Sequence, residues 1–167
     1  MLAVVHVKAV STMMDALDSK VLAHLMRQAR MTWAELASQL GLSAPATADR
    51  VRKLEERGVI QGYLTQVNPK SLGYDLTAFI AVTLDHPRDR DAFLTQVHAL
   101  PEIQECHHVT GDDDYLLKVR CQGTQGLERL ITDGLKQVTG VAKTRTTIAL
   151  STVKETIALP IPPSDLA

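Results

Sequence analysis

The stretch TWAELASQLGLSAPATADRVRKLEERGVIQGY, residues 32–63, constrains the fold more than any other part of the chain. Thr32 and Glu35 have the T-x-x-E spacing of a capping box, which marks the start of a helix. Gly41 ends that helix, because glycine adopts the left-handed conformation at little cost. Ser43 then caps a second helix. Two short helices joined by a tight turn predict a helix-turn-helix, an arrangement that reads DNA sequence.

The second of these helices has two different faces. Val51 and Leu54 point towards the expected core. A second set of residues falls at helical spacing on another face, where a recognition helix would meet the major groove: Ala46, Arg50, Lys53 and Arg57. The alternative is a solvated face on which Arg52, Asp49 and Glu56 form surface pairs, each worth roughly a few tenths of a kcal/mol. The capped helix and turn directly before it favour the DNA-binding interpretation.

Further elements complete an N-terminal domain at residues 15–67. Apolar residues at helical spacing predict a first helix at 15–27, with Asp15 as its cap. The apolar pair after Gly58 predicts a strand and then a linker within residues 59–67. Residues 15–67 contain seven Lys or Arg and six Asp or Glu, a net charge of +1. Because phosphate neutralisation supplies much of the affinity for DNA, so weak a charge predicts that several copies bind together.

The segments outside this domain are less constrained. Residues 1–14 form an N-terminal extension, read as a short strand, a loose arm or a segment upstream of a true start at Met13 or Met14. The tail at 157–167 is rich in proline and is expected to be ordered only against a partner. Cys106 and Cys121 lack CxxC spacing, and no apolar run is long enough to span a membrane, which together indicate a cytoplasmic protein.

A second domain follows a linker at residues 68–75. Its patterns predict strands at 76–84, 103–110, 115–121 and 141–153, and helices at 89–100 and 124–137. The order βαββαβ predicts an α+β, ferredoxin-like domain at 76–156, with both helices on one face of a four-stranded antiparallel sheet. The other face needs a cover, and a second copy of the sheet is the simplest one.

At this point the chain resembles a known family, the Lrp/AsnC regulators. The resemblance spans about residues 15–157 and rests on five stretches taken in order: DALDSKVL, LASQLGLS, VRKLEERGVIQGY, IQECHHVTGDDDYLLKVR and GVAKTRTTIALSTVKE. It implies an N-terminal winged helix-turn-helix, a C-terminal effector (RAM) domain, and homodimers that assemble into tetramers, octamers or larger species. It also implies a response to an amino acid or a related small molecule, and no enzymatic activity.

The resemblance also implies which residues face double-stranded DNA: Trp33, Ser43, Ala44, Ala46, Thr47, Arg50, Lys53 and Arg57. Arg50 is the first choice for a base contact, since a guanidinium binds guanine through two hydrogen bonds. Ser43 would place its backbone amide on a phosphate, and Arg57 would contact another. Trp33 either flanks the DNA backbone or packs internally. Alanines at 44, 46 and 48 replace larger residues of the family, so shape readout gains weight.

The implied effector site lies between dimers, around the turn GDDD. Residues matching positions that line or border it are Val109, Gly111, Asp112, Asp113, Asp114, Tyr115, Leu135, Thr147, Ile148 and Ala149. Asp112 or Asp114 would accept from an ammonium group, and amides of the Gly111 turn would hold a carboxylate. Thr147 replaces an aromatic residue of leucine-responsive members, which argues against leucine. Without the resemblance, the same turn would be read as a plain solvated hairpin.

Other chemistry is sparse, and no cofactor is expected. Cys106 and His108 share one face of a strand while His107 points the other way, so these neighbours do not converge on a metal. Two alternatives to a transcription factor remain open. One is an enzyme on the same scaffold, similar to the siroheme decarboxylases, which binding of a tetrapyrrole would reveal. The other is a small-molecule sensor with a vestigial DNA module.

Overall fold

The computed structural model describes residues 14–162, which divide into two compact units. One unit comprises residues 14–65 with 156–162, and the other comprises residues 66–155. The interpretations of residues 1–13 and of the last five residues of the tail lie outside the described part of the chain.

Three helices form the first unit: α1 Ala16–Arg27, α2 Trp33–Leu40 and α3 Ala44–Glu56. The hydroxyl of Thr32 accepts from the Glu35 amide at 3.2 Å, and the Glu35 carboxylate accepts from the Thr32 amide at 2.8 Å. Gly41 ends α2 at a φ of 67°, and the Ser43 hydroxyl accepts from the Ala46 amide at 3.3 Å. These contacts confirm the predicted helix-turn-helix.

A small apolar core holds these helices together. Its members are at most 7% exposed: Val21, Leu25, Leu36, Val51 and Leu54. Burial of each such side chain contributes about 1.5–3 kcal/mol. The core therefore fixes which side of α3 faces inward, and by difference which side faces solvent.

The predicted strand at 59–67 is wrong, since no strand forms there in the described structure. The amides of Val59 and Ile60 instead donate to the Leu54 carbonyl at 2.9 and 3.2 Å, closing the end of α3. Leu64 and Val67 are 76% and 52% exposed, so no buried face orients this segment. An isolated strand cannot satisfy its own backbone, and the described residues supply no partner for it. Over residues 14–65, the first unit is thus described as a helix-turn-helix without a wing strand.

The second unit has the predicted ferredoxin-like order. Its elements are β1 Leu76–Leu84, α4 Arg90–Ala99, β2 Ile103–His108, β3 Tyr115–Cys121, α5 Gly123–Arg129 and β4 Val141–Ile148. Short 3-10 turns precede β1 and α4. The sheet order is β2-β3-β1-β4, and every neighbouring pair is antiparallel.

The alternation predicted for β3 is confirmed. Tyr115, Leu117, Val119 and Cys121 are all buried, and the residues between them are half-buried on the opposite face. The Tyr115 ring packs against Phe93 of α4 with centroids 4.9 Å apart. One face of the sheet thus meets the helices, as the βαββαβ order requires.

Two boundaries differ from expectation. β4 ends at Ile148, opposite Ala78 of β1, and not at 153. Beyond it, the amide of Ala149 donates to the Thr77 carbonyl at 2.9 Å. The last helix is regular only to Arg129 and continues as a π-helical turn over Leu130–Leu135.

The sheet face away from the helices carries a mixed surface. We call it the open sheet face, defined by Thr77, Phe79, Ala81, Leu116, Lys118 and Arg120, whose strand neighbours point into the core. Phe79 is 38% exposed near its middle. Glu155, from the segment after β4, pairs with Lys118 and Arg120 on this face.

Candidate functional site

The burial of α3 defines the surface that this helix offers to a partner. Thr47, Val51 and Leu54 face the core. The helix side opposite them carries six residues, which we call the outward face: Pro45, Ala46, Asp49, Arg52, Lys53 and Glu56. Each turn of α3 therefore contributes to a continuous solvent-facing stripe.

The charges of the outward face pair with one another. Asp49 contacts both Arg52 and Lys53, with its oxygen 2.7 Å from the Lys53 ammonium. Arg52 also donates to Glu56 at 2.6 Å. Hydrogen bonds from Lys53 and Arg52 hold the pKa of Asp49 below its ordinary value. The outward face thus combines two cations with two carboxylates and is close to neutral in the free protein.

Arg50 does not lie on the outward face. Its guanidinium donates to Asp15 at 2.7 Å and to Asp18 at 2.5 Å, both at the start of α1. Hydrogen bonds to Asp15 and then Asp18 raise the pKa of Arg50. Arg57 makes a longer contact to Asp18, at 3.4 Å. Ala46, Arg50, Lys53 and Arg57 remain the predicted DNA-facing set on α3, and in the free protein the two arginines of this set contact the carboxylates at the start of α1.

Thr47 also departs from expectation. It is fully buried, and its hydroxyl donates to the Ser43 carbonyl at 3.1 Å. A side chain with no exposed surface cannot touch DNA, so its predicted place on the DNA-facing side is corrected. Ser43 and Ala46 are exposed at the start of α3, Ala44 is half-buried, and Trp33 is 41% exposed at the start of α2.

Sequence reasoning left two residues out of the candidate interface. The sequence predicts Asp49 and Arg52 only as members of surface pairs, and the structure confirms those pairs. It also places both at the centre of the outward face. The signal was present in the helical spacing of Thr47, Val51 and Leu54, which puts 45, 49, 52 and 56 on the far side of the helix.

The acidic turn between β2 and β3 is built mostly from contacts within the chain. The Asp114 carboxylate accepts from the Leu84 amide at 2.7 Å, and the Asp114 amide donates to the Val82 carbonyl at 2.9 Å. Asp113 accepts from Arg145 at 2.6 Å and from the Thr83 hydroxyl at 3.3 Å. Asp112 is exposed, and within residues 14–162 its carboxylate has no hydrogen bond or ion pair. Of the three acids, Asp112 is the one available to a ligand.

The remaining residues of the implied effector site do not converge within one chain. Tyr115 pairs with Val82 in the sheet, whereas Ile148 pairs with Ala78. These positions are four residues apart on β1, which corresponds to about 13 Å. Thr147, Ile148 and Ala149 therefore lie near the end of the sheet opposite the acidic turn. Tyr115 and Leu135 belong to the buried core.

Among the residues that the structure describes, no group of three or more His, Cys, Asp or Glu could hold a metal ion. Within the same residues, no helix is both long and apolar enough to cross a bilayer.

Comparison with known proteins identifies both halves of the chain. Residues 14–55 match the AsnC-type helix-turn-helix domain, and residues 77–159 match the Lrp/AsnC ligand binding domain. The leucine-responsive regulatory protein of Escherichia coli K12 is 39% identical over 150 residues, covering 89% of this chain and 92% of that protein. The protein of the same name from Klebsiella pneumoniae is 38% identical over the same coverage.

Solved structures give the same answer. A transcriptional regulator of Neisseria meningitidis in complex with L-Met superposes with a TM-score of 0.85 at 30% identity, covering 89% of this chain and 97% of that one. The feast or famine regulatory protein of M. tuberculosis, complexed with L-methionine, superposes with a TM-score of 0.81 at 36% identity, with coverages of 89% and 99%. These relatives are all named as regulators or regulatory proteins. By its two domains, its fold and its relatives, this chain belongs to the Lrp/AsnC family of transcriptional regulators.

Proposed function

We propose that the chain binds double-stranded DNA sequence-specifically through α3 and changes its regulatory state when a free amino acid binds the C-terminal domain. The observation that carries the proposal is the capped helix-turn-helix, whose core leaves one continuous face of α3 open. In this arrangement the recognition helix enters the major groove and its N-terminal residues meet base edges.

The DNA contacts divide by chemistry. Ser43, Ala44 and Ala46 are small residues at the start of α3, so this end of the helix can approach DNA closely. A backbone amide there can bind a phosphate, and the alanine methyl groups can touch thymine. Lys53 contributes a phosphate contact from the outward face, being 61% exposed at its side chain. Arg50 and Arg57 support α3 from its edge, and Trp33 flanks the site from α2.

Methionine is the first effector to test, because two of the superposable relatives were solved with it. A free amino acid brings an ammonium group and a carboxylate. Asp112 is the acceptor for the ammonium, since Asp113 and Asp114 are engaged within the chain. Amides of the turn around Gly111, whose φ is 124°, would hold the carboxylate.

The distance between the acidic turn and Thr147–Ala149 supports association of several copies of the chain. A site that uses both regions needs residues from a second copy. The open sheet face offers a surface for the first pairing, with the half-exposed Phe79 ringed by the ion pairs of Lys118 and Arg120. We therefore propose a homodimer through the open sheet face and higher assembly of dimers, in the cytoplasm, with functional domain limits at 15–67 and 76–156.

Fluorescence anisotropy tests this function directly. The full chain is titrated into labelled DNA from upstream of its own gene and into a scrambled duplex, at physiological salt, with and without L-methionine and then a pool of amino acids. We expect preference for the upstream DNA and a shift in affinity with at least one amino acid. Equal binding to both duplexes would exclude regulation of the chain's own gene. A selection from genomic fragments that enriches no sequence would refute sequence-specific binding.

Two variants separate the two sites. Lys53→Gln should weaken binding to all duplexes and reduce the slope of log affinity against log salt by about 1. Asp112→Asn should keep DNA binding and lose the amino-acid response, whereas Gln104→Ala, on the edge strand β2, serves as a control that keeps both. An unchanged response in Asp112→Asn would show that the effector site lies elsewhere.

A further inference from the structure

The first turn of α3 presents no exposed side-chain hydrogen-bonding group after its cap. Pro45 and Ala46, the exposed residues of the first turn after the cap, have no side-chain donor or acceptor. The Ser43 hydroxyl is already engaged with the Ala46 amide. Along the outward face of α3, Asp49 is therefore the first side chain that can form a hydrogen bond with a base edge.

Asp49 is placed for such a contact. Its side chain is 44% exposed, and it lies one turn before Arg52 and Lys53, whose side chains are 57% and 61% exposed. In the free protein it binds both cations, and Arg52 is shared with Glu56. When phosphates compete for Arg52 and Lys53, the Asp49 carboxylate loses those partners and must find donors elsewhere.

The chemistry of the major groove restricts which donors are available. Phosphate oxygens are acceptors and repel a carboxylate. Among base edges, the amino groups of cytosine and adenine are the donors, and an Asp or Glu side chain typically accepts from cytosine N4. We infer that Asp49 is a specificity-determining residue of α3 that selects cytosine at one position of each half-site. This inference rests on the proposed function, since it assumes that α3 reads DNA.

A matched pair of variants tests it. Asp49→Asn and Glu56→Gln each remove one negative charge from the outward face, and each takes one carboxylate partner from Arg52. Glu56 lies two turns further along α3, at the end of the helix, away from the residues that approach the bases. Both variants should raise affinity for random DNA, because one carboxylate no longer opposes the phosphates.

The base preference distinguishes the two variants. Binding selection from a randomised duplex pool with the wild-type chain should yield a motif containing a cytosine, preferred about 5-fold to 100-fold over other bases. Asp49→Asn should change that position to adenine, since an asparagine side chain binds adenine N6 and N7 together. Asp49→Ser should lose the preference without gaining adenine. Glu56→Gln should keep the wild-type motif.

The outcomes separate the inference from the proposed function. If the wild-type chain selects a motif that Asp49→Asn and Asp49→Ser leave unchanged, Asp49 does not read a base and the inference falls alone. If Glu56→Gln changes the motif as Asp49→Asn does, the effect is one of charge and the inference also falls. If the wild-type chain selects no motif, the proposed function fails and the inference with it. Unchanged urea unfolding of each variant, followed by Trp33 fluorescence, confirms that the comparison is between folded proteins.

Discussion

Replacing Arg50 with methionine should destabilise the helical unit more than it disturbs base recognition. Methionine keeps an apolar stem while removing the guanidinium that joins α3 to α1. The Asp18 side chain is only 7% exposed, so without Arg50 its carboxylate keeps Arg57, at 3.4 Å, as its nearest cation. The variant thus leaves a largely buried charge poorly compensated.

The structure sets the size of the effect. Removing one partner of a buried ion pair costs about 3–5 kcal/mol. Arg50 and Asp15 are 26% and 55% exposed at their side chains, and solvent screening reduces their share, so we expect a loss of about 1–3 kcal/mol in the free energy of unfolding. Because Asp18 and Arg50 are in direct contact, Asp18→Asn combined with Arg50→Met should show a coupling energy of about 1 kcal/mol or more.

Urea unfolding followed by tryptophan fluorescence measures this loss of stability in the helical unit. Trp33 is the single tryptophan of the chain and lies at the start of α2. Arg145→Met is the matched control, since Arg145 pairs with Asp113 in the other unit and is 67% exposed. An Arg50→Met urea midpoint equal to that of Arg145→Met would show that the contacts of Arg50 with α1 do not stabilise the unit. Additive effects in the double variant would show the same.

The pH dependence has a definite sign. Burial opposes ionisation of Asp15, but the Asp18 amide and Arg50 outweigh it and lower the pKa of Asp15. A lowered pKa stabilises the fold at pH values above the ordinary aspartate value of about 4, and that contribution is lost as pH falls through the lower folded value. Arg50→Met should therefore flatten the acid limb of the stability curve.

Three further expectations follow from contacts described by the structure. Thr47→Val should cost about 0.5–1.5 kcal/mol for its lost hydrogen bond and leave DNA affinity unchanged in anisotropy, and a large loss of affinity would restore Thr47 to the interface. Gly140→Ala should destabilise the sheet unit by about 2 kcal/mol or more, measured by hydrogen exchange, because φ is 92° and a Cβ would lie 2.3 Å from Asp89. Gly123→Ala is the control and should cost less, since φ is 64° and a Cβ there would meet open space. Equal losses in the two variants would contradict the clash. Burial and the hydrogen bond to Glu55 raise the pKa of Tyr63 to about 12. Ultraviolet titration should therefore show late ionisation of Tyr63, and Glu55→Gln should lower its pKa. The stability that this raised pKa contributes should be lost as pH rises from about 10 towards 12. A titration unaffected by Glu55→Gln would show that the hydrogen bond has no part in the shift.

Local signals predict most of the helices and strands, but they do not predict which side chains meet across separate elements. Caps and turns depend on residues three or four apart, so Thr32, Gly41 and Ser43 could be interpreted correctly from the chain alone. The position of Arg50 depends on Asp15 and Asp18, more than thirty residues earlier, and no helical pattern reveals such a partner. The helix pattern marked Val51 and Leu54 as inward, but Thr47 was assigned by resemblance and its burial was missed.

The failure at 59–67 has a different cause. Val59 and Ile60 are good strand residues, yet β propensity acts only where another strand offers hydrogen bonds. Here their amides are used by the end of α3. The ligand residues show the same limit at a larger scale, because resemblance assigns Gly111 and Thr147 to one site while the register of a single chain keeps them apart.

Both outer strands of the sheet have features that discourage growth of the sheet by strand addition. The pairing of β2 is interrupted between Ile103 and Glu105, and that of β4 between Thr83 and Leu84 of its partner. Lys143 and Arg145 place like charges along β4. Irregular, charged edges are a common protection against fibre formation. Concentrated preparations of the chain should consequently stay clear, whereas a flat-edged sheet of the same size would aggregate and turn cloudy.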